Sequence, residues 1–324
     1  MSERRAQLSV FSIPLTTRFR GITEREGVLL EGPAGWGEFS PFLEYDAATS
    51  APWLACAREA ADLGWPSPVR WSVPVNVTVP ACSPEKAREI VLASSGCRTA
   101  KVKVAEPGQQ PGEDEARVEA VRDALGPDGL IRVDANGGWS VEQAVRRIAV
   151  LERAAGGLEY VEQPVASVED LALVRRRVSV PIAADESIRR AADPYRVRDL
   201  EAADIAVLKV QPLGGVRACL RIAEDIGLPV VVSSAVETSV GIAAGVALAA
   251  ALPELPYACG LATLALVDGD VVDDPLVVTD GSLPVRRPEV LADAAGWAAS
   301  SDRVVHWESR LDEVAARLAP KAAR

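Results

Sequence analysis

The chain repeats one pattern from about Trp71 onward: a short run of apolar, β-branched residues is followed by a longer polar stretch with helical spacing. The distance between successive runs is the length of one strand plus one helix, and strands that alternate with helices form a parallel sheet. Eight such units predict a (β/α)8-type barrel. The candidate strands are residues 72–79, 99–104, 130–134, 158–162, 180–185, 203–210, 228–234 and the weaker 257–260.

The repeat also divides the chain into parts. Helices are predicted between the runs at 113–125, 141–154, 168–178 and 216–226. The first seventy residues lack the repeat and contain LLEGPAGWGE, typical of a hairpin, followed by a helix-like stretch over 47–63. We therefore expect an α+β domain over 1–70 and a barrel over 71–288. The Ala/Arg/Glu-rich segment 289–324 is expected to pack back on the first domain.

Composition excludes several kinds of function. His306 is the only histidine among 324 residues, which argues against a Ser-His-Asp triad and a histidine-rich zinc site. The net charge of −11 disfavours nucleic acid and anionic membranes as partners. The five cysteines form no CxxC pair, which fits a reducing compartment. Because no long apolar segment or signal sequence is evident, we expect a cytoplasmic protein, and the oligomeric state is left open.

Three acidic residues end consecutive candidate strands. Asp134, Glu162 and Asp185 are separated by 28 and 23 residues, so each spacing matches one strand-helix repeat. Functional groups in such barrels project from the carboxyl ends of the strands, where these side chains would converge. Carboxylates gathered there repel each other unless a cation lies between them, and oxygen ligands predict Mg2+, with Mn2+ as a possible substitute. Taken singly, each acid is also explained as a strand-end or capping residue.

Lysines occupy two strands on either side of the acids. Lys101 and Lys103 share one face of their strand by the period-two rule, and Lys209 ends the sixth run. Strands two and six of an eight-stranded barrel are roughly opposite each other, so a substrate would have an ammonium on each side. The alternative is a charged edge strand at the surface, which the apolar neighbours disfavour.

Five motifs carry a resemblance to a known family: KVKV at 101–104, DANGGW at 134–139, YVEQP at 160–164, ADES at 184–187 and KVQPLGG at 209–215. In this order, one repeat apart, they resemble the enolase superfamily in its muconate-lactonising branch. The resemblance covers nearly the whole chain. It implies a modified (β/α)7β barrel with an N-terminal α+β capping domain, which the C-terminal segment completes.

The resemblance also implies roles. Asp134, Glu162 and Asp185 would ligate Mg2+, Lys103 would act as base and then acid, and Lys209 would stabilise charge on the opposite face. Within the branch, residues 17–32 and 233–241 are most similar to enzymes that dehydrate 2-succinyl-6-hydroxy-2,4-cyclohexadiene-1-carboxylate to 2-succinylbenzoate in menaquinone biosynthesis. An N-succinylamino acid racemase or dipeptide epimerase is the alternative, and a barrel that only binds a carboxylate is a third.

Neighbouring polar residues complete the prediction. Lys101, Ser233 and Ser234 are candidates for contact with the small-molecule carboxylate substrate, although the serines are also ordinary turn residues. The residues expected to orient the metal ligands are Arg132, Asn136 and Glu186. We expect Arg132, which shares a face with Asp134, to pair with a ligand or with Lys101.

Overall fold

The computed structural model describes residues 8–19, 21–190, 193–291 and 294–318. A small α+β unit comes first. Its antiparallel sheet comprises β1 (Leu8–Phe19), β2 (Ile22–Gly32) and β3 (Gly35–Phe39), followed by helix α1 (Ala47–Arg58) and one π-helical turn, Glu59–Leu63. The predicted hairpin is confirmed, since Gly32 pairs with Gly35. The predicted helix is also confirmed, and it begins where the Asp46 carboxylate accepts from the Thr49 amide.

The second unit is a curled parallel sheet of seven strands, each beside the next in chain order. A short strand β4 (Ser72–Pro74) precedes it and pairs with a late strand of the chain. The seven are β5 (Val77–Val79), β6 (Thr99–Lys103), β7 (Leu130–Asp134), β8 (Tyr160–Glu162), β9 (Ile182–Ala184), β10 (Ile205–Lys209) and β11 (Val230–Ser233). This sheet and the preceding unit confirm the predicted barrel fold with its capping domain.

Helices connect the parallel strands and cover their outer face. They are α2 (Pro84–Leu92), α3 (Pro111–Leu125), α4 (Val141–Ala155), α5 (Val168–Arg175), α6 (Glu186–Arg189), α7 (Arg196–Asp199), α8 (Val216–Ile226) and α9 (Ser239–Ala251). The four predicted helices are confirmed, with α5 ending three residues earlier than expected. Within the described ranges, no helix is both long and apolar enough to cross a membrane.

The barrel closes at two single residues. Gly260 bridges to Ser233 at the end of β11, and Cys259 bridges to Val75 just before β5. The predicted eighth strand over 257–260 is therefore reduced to these bridges. Gly260 suits this crossing because a Cβ there would lie 2.7 Å from Ser233 Oγ. The predicted first strand over 72–79 is likewise divided into β4 and β5, because β4 pairs outside the barrel with β12 (Ser282–Pro284).

Side chains alternate across the barrel wall with a period of two. Val102, Val133 and Leu208 point outward into the core formed with the helices. A smaller inner cluster lies within the barrel, comprising Tyr160, Ala183, Ile205, Val207 and Val231. Positions two residues beyond this layer, at the carboxyl ends of the strands, carry the ionisable groups.

The capping domain is bound to the barrel and to the end of the chain. Helix α10 (Ser301–Leu318) packs on α1, and its Trp307 is buried against Phe39 of β3. Glu38 of β3 lies at the start of α9, where its Oε2 accepts from Thr238 N at 3.1 Å, Thr238 Oγ1 at 2.5 Å and Gly241 N at 3.0 Å. A carboxylate from the cap therefore satisfies the first amides of a barrel helix.

We expect Glu38→Ala to lower the free energy of unfolding by about 2–4 kcal/mol, because it leaves buried donors at the start of α9 without an acceptor. Urea denaturation measures the change. Glu31→Ala is the matched control, since Glu31 is exposed on the same sheet and its loss should change stability by less than about 0.5 kcal/mol. Equal effects of the two substitutions would contradict the role of Glu38.

Candidate active site

Acids and lysines meet at the carboxyl ends of the parallel strands. Lys103 lies opposite Asp134 in the β6–β7 register, and Asp134 lies opposite Glu162 in the β7–β8 register. Asp185 follows the last residue of β9. All three carboxylates are at most 1% exposed. The structure therefore brings the three acids to one edge, with lysines from β6 and β10 on either side.

Lys101 is the most buried of the three lysines at the site, and it contacts two of the acids. Its Nζ lies 3.0 Å from each Glu162 carboxylate oxygen and 3.4 Å from Asp134 Oδ2. Burial alone would lower the pKa of Lys101, but Glu162 and Asp134 outweigh burial and hold it above its ordinary value. Lys101 is thus a fixed cation inside the carboxylate cluster, and it also lines the cavity described below.

Lys103 stands at the rim of the cluster. Its Nζ donates to Asp134 Oδ2 at 2.5 Å and to Asn136 Oδ1 at 2.7 Å. The backbone N–H of Asn136 in turn donates to Asp134 Oδ1 at 3.0 Å, and the side-chain Nδ2 of Asn136 donates to Glu186 Oε1 at 3.2 Å. Burial would raise the pKa of Asp134, but Lys103 and Lys101 together hold it well below its ordinary value. Asn136 therefore contacts Asp134 directly, whereas Glu186 is linked to the acids only through Asn136 and Arg189.

Lys209 and Arg189 share the third carboxylate. Lys209 Nζ donates to Asp185 Oδ2 at 2.6 Å, and Arg189 Nε donates to Asp185 Oδ1 at 2.8 Å. Burial would raise the pKa of Asp185, but Lys209 and Arg189 keep it below its ordinary value. Burial lowers the pKa of Lys209, with Asp185 opposing this shift. Arg189 also pairs with Glu186, so it links two acids of the same loop.

The donor chemistry fits a hard divalent cation. Among the described residues, no three acidic, histidine or cysteine side chains are already arranged as metal ligands. The carboxylate oxygens of the three acids instead accept from ammonium and guanidinium groups. Nevertheless, three buried carboxylates remain crowded together. Burial and then the charge of Asp134 raise the pKa of Glu162 to about 7. Carboxylate oxygens are the ligands that Mg2+ prefers in proteins, so the donor chemistry of the three acids fits this ion.

Gln163 and Arg189 contact Asp185 although the sequence patterns did not mark them as site residues. Gln163 Oε1 accepts from the amides of Asp185 at 3.0 Å and Ser187 at 3.1 Å, and so fixes the loop that carries the third acid. Gln163 follows Glu162 with a φ of +39°, outside the alternating pattern of the strand. Arg189 had a usable signal, since it lies four residues after Asp185 at the start of a helix.

The prediction for Arg132 is wrong in its partners. Its side chain is fully buried, but it pairs with Glu159 and donates to Asn76 Oδ1 at 3.2 Å and Ala258 O at 2.7 Å. Its guanidinium also lies 4.7 Å from the ring centroid of Tyr160. Arg132 faces the same side of β7 as Asp134 but lies two residues earlier, so its side chain lies one layer deeper in the barrel, below the acids.

A cavity lies above the acids and lysines. Ser233 and Ser234 line it, and Ser234 Oγ donates to Gly260 O at 2.8 Å, while their contact with a substrate stays a prediction. The capping domain supplies Phe42 and Trp53, which no sequence pattern marked because lining depends on how the two domains meet. The other lining residues are Thr78, Lys101, Lys103, Asn136, Arg189, Lys209, Pro212, Ala235, Val236, Gly260 and Thr263.

The loop after β11 forms one wall of the cavity in an unusual backbone conformation. Val236 has a φ of +62°, and left-handed backbone at a β-branched residue costs roughly 1–3 kcal/mol. Arg25 Nε of the cap donates to Val236 O at 2.6 Å, and Ala235 N donates to Glu237 Oε2 at 2.8 Å. Glu237 is buried, and burial followed by the charge of Glu38 raises its pKa to about 7.

Two family models match the two parts of this architecture. The family model described as "Enolase C-terminal domain-like" matches residues 84–302, and the one described as "Enolase N-terminal domain-like" matches residues 10–61. The chain is 69% identical over 297 residues to the o-succinylbenzoate synthase of Thermobifida fusca, covering 89% of this chain and 93% of that one. It is 54% identical to that of Mycolicibacterium smegmatis, covering 94% of each chain.

Solved structures with the same fold are more distant in sequence. The L-Ala-D/L-Glu epimerase of Bacillus subtilis is 25% identical with a TM-score of 0.73, covering 90% of this chain and 98% of that one. A dipeptide epimerase of Enterococcus faecalis, complexed with Mg and the dipeptide L-Leu-L-Tyr, is 24% identical with a TM-score of 0.72. That match covers 90% of this chain and 99% of the epimerase.

The buried Glu237 carboxyl should make stability depend on pH. Its pKa is raised from 4.5 to about 7 in the folded chain, so folding favours the protonated form. The contribution is fully present below about pH 4.5 and is lost as the pH rises through about 7, by about 3 kcal/mol in total. Glu237→Gln should remove this dependence, because its amide oxygen still accepts from Ala235 N.

Urea denaturation from pH 5 to 8 tests this expectation. The free energy of unfolding of the unsubstituted protein should fall relative to that of Glu237→Gln as the pH rises. Glu254→Gln, at an exposed glutamate, is the matched control and should follow the unsubstituted protein. Parallel curves for the unsubstituted protein and Glu237→Gln would show that Glu237 does not titrate in this range.

Proposed function

This chain belongs to the enolase superfamily and, within it, to the o-succinylbenzoate synthases, which are carbon–oxygen lyases, and from that premise we propose the reaction it catalyses. The reaction is the syn dehydration of 2-succinyl-6-hydroxy-2,4-cyclohexadiene-1-carboxylate to 2-succinylbenzoate, through an enediolate. The product serves menaquinone biosynthesis. Two relatives with this name that are 69% and 54% identical support the assignment.

The observation that carries the proposal is the position of two lysines on different carboxylates around one cavity. Lys103 pairs with Asp134, Lys209 pairs with Asp185, and both ammonium groups line the cavity. Their strands, β6 and β10, are four places apart in the parallel sheet. A substrate between them would therefore meet one amine on each face, and one of these amines can act as the base that removes a proton beside the carboxylate.

Lys103 is assigned the proton transfers. Its neutral amine takes the proton from C1 of the ring, beside the carboxylate, and the electron pair of the C–H bond moves into the enediolate. As this pair returns to the ring, the C6–O bond breaks. The Lys103 ammonium gives its proton to the departing hydroxide, so water leaves and the ring becomes aromatic. One residue performs both transfers because both bonds lie on the same face.

Lys209 and Lys101 are assigned electrostatic roles. Lys209 lies across the cavity from Lys103 and stabilises negative charge that develops on the substrate, by charge or cation-π contact. Lys101 stays protonated between Glu162 and Asp134 and holds these acids in place. Ser233 and Ser234 offer hydroxyl groups for the succinyl chain on the β11 side of the cavity.

Asp134, Glu162 and Asp185 are the residues that would hold Mg2+, with Mn2+ as a possible substitute. When bound, the ion supplies positive charge to the substrate carboxylate and stabilises the enediolate. The crowding of three buried acids supports this assignment, as does the Mg in the solved dipeptide epimerase of the same fold. The contacts of Asn136 and Glu186 would keep the first and third acids oriented.

We expect rapid turnover of the cyclohexadiene substrate in the presence of Mg2+, followed as loss of the diene absorbance. Removal of divalent ions with a chelator should abolish turnover, and added Mg2+ or Mn2+ should restore it. Lys103→Ala should lower kcat by about 10^3-fold or more, as expected for loss of a general base. Lys86→Ala, at an exposed lysine of α2, is the control and should leave kcat unchanged. Turnover that survives metal removal or Lys103→Ala would refute the mechanism.

The alternative is an N-succinylamino acid racemase or a dipeptide epimerase. The same two lysines favour it, because a 1,1-proton transfer needs a base on each face of the substrate. The two hypotheses differ in how they use Lys209. Dehydration requires Lys209 only to stabilise charge, whereas epimerisation requires Lys209 to exchange a proton with the α-carbon.

The proposed dehydratase predicts unequal effects of the two lysines. Lys209→Ala should lower kcat for dehydration by roughly 10^2-fold, less than Lys103→Ala, because it removes electrostatic stabilisation and leaves the base in place. Exchange of the α-proton of N-succinylamino acids in D2O, followed by NMR, measures the alternative. If Lys103→Ala blocks exchange from one enantiomer and Lys209→Ala from the other, with kcat/KM above that for dehydration, epimerisation is the main activity.

A further inference from the structure

The cavity wall at Ala235 and Val236 depends on contacts from outside the barrel. Val236 is 1% exposed, and its φ of +62° is a conformation that glycine adopts freely and valine disfavours. Such a backbone persists only where its surroundings fix it. The partner on its carbonyl side is Arg25 of β2, in the capping domain.

Arg25 is itself firmly held. The residue is 2% exposed, and its Nε donates to Val236 O at 2.6 Å. Its Nη2 donates to the backbone oxygen of Ser40 and to Ser40 Oγ, the latter at 2.9 Å, and its Nη1 donates to Glu26 O at 3.3 Å. The guanidinium therefore connects two segments of the cap with the barrel loop, and its planar set of donors sets their relative positions.

The same guanidinium lies on Phe42. Its central carbon is 4.8 Å from the centroid of the Phe42 ring, within the range of a cation-π contact. Phe42 lines the cavity from the cap, and Val236 lines it from the barrel, whereas Arg25 is not among the lining residues. One buried cation thus fixes two walls of the cavity without forming part of its surface.

The wall at Val236 lies beside β10 and its Lys209 but across the barrel from Asp134. Val236 follows β11, which is four strands from β7 and its Asp134 in a barrel closed by the bridges at Cys259 and Gly260. This is the side of the cavity where Ser233 and Ser234 also lie. A substrate whose ring carboxylate points to the acids would direct its other chain toward this side.

We propose that Arg25 is a positioning residue for substrate specificity, which shapes the part of the cavity that takes the succinyl chain through the Val236 carbonyl and the Phe42 ring. The inference rests on the proposed function, because it concerns the fit of the cavity to that substrate. Loss of Arg25 therefore weakens binding of the substrate and leaves Lys103, Lys209 and the acids in place.

The test compares Arg25→Lys with the unsubstituted protein in turnover and in calorimetric binding of 2-succinylbenzoate. Arg25→Lys should raise KM and the Kd for 2-succinylbenzoate by about 10-fold or more, with kcat within about threefold, as expected when binding and not the chemical step is affected. Arg287→Lys is the matched control. Arg287 also joins the cap, donating to the Ala34 and Ala60 carbonyls, and its replacement should leave KM unchanged.

A second variant separates positioning from general destabilisation. Glycine adopts the left-handed backbone without the strain that valine has there, so a loop with Val236→Gly depends less on Arg25 to hold its conformation. In the Val236→Gly background, Arg25→Lys should therefore change KM by less than about threefold, because the two positions are coupled through this backbone.

The inference is overturned if Arg25→Lys leaves KM and the Kd for 2-succinylbenzoate unchanged, or if its effect is the same with and without Val236→Gly. It is also overturned if Arg287→Lys raises KM equally. Failure of the unsubstituted protein to convert the diene or to bind 2-succinylbenzoate would refute the proposed function as well. The two failures are therefore distinct.

Discussion

The site depends on buried carboxylates that are neutralised by buried cations. Asp134, Glu162 and Asp185 are almost completely removed from water, where an unpaired charge is strongly disfavoured. Lys101, in contact with Glu162 and Asp134, keeps two of them close together, and further cations meet the outer oxygens. The carboxylates are therefore close together at the centre, and the ammonium groups of Lys103 and Lys209 balance their charge at the rim. Charge balance and reactivity therefore come from the same residues.

Much of this arrangement follows from the chain's repeat. Parallel strands that alternate with helices place their carboxyl ends at one edge, and the two-residue period fixes which side chains face inward. These rules bring Lys103, Asp134 and Glu162 together in register. The same rules place Val102 and Val133 in the outer core. The prediction was reliable wherever a residue's position depended only on its own strand and its two neighbours.

The sequence pattern does not predict how deep in the barrel a side chain lies, nor which residues the capping domain brings to the cavity. Arg132 shares a face with Asp134, but the rule gives the face and not the layer, so its pairing with Glu159 was missed. Phe42 reaches the cavity only because β3, α1 and α10 together position the capping domain. The weak eighth strand is a further case, since bridges at two single residues close the barrel without extended pairing.

The two domains divide the work between chemistry and fit. The lysines and two of the acids lie on barrel strands and Asp185 directly follows one, so backbone hydrogen bonds within the barrel hold these groups. The wall at Val236 is different, because cap residues fix both ends of its loop: Arg25 binds the Val236 carbonyl and Glu38 binds Thr238. A change in how the cap docks would thus alter the shape of the cavity before it altered the lysines and acids. Such a division lets substrate preference change through contacts between the domains while the proton-transfer machinery is retained.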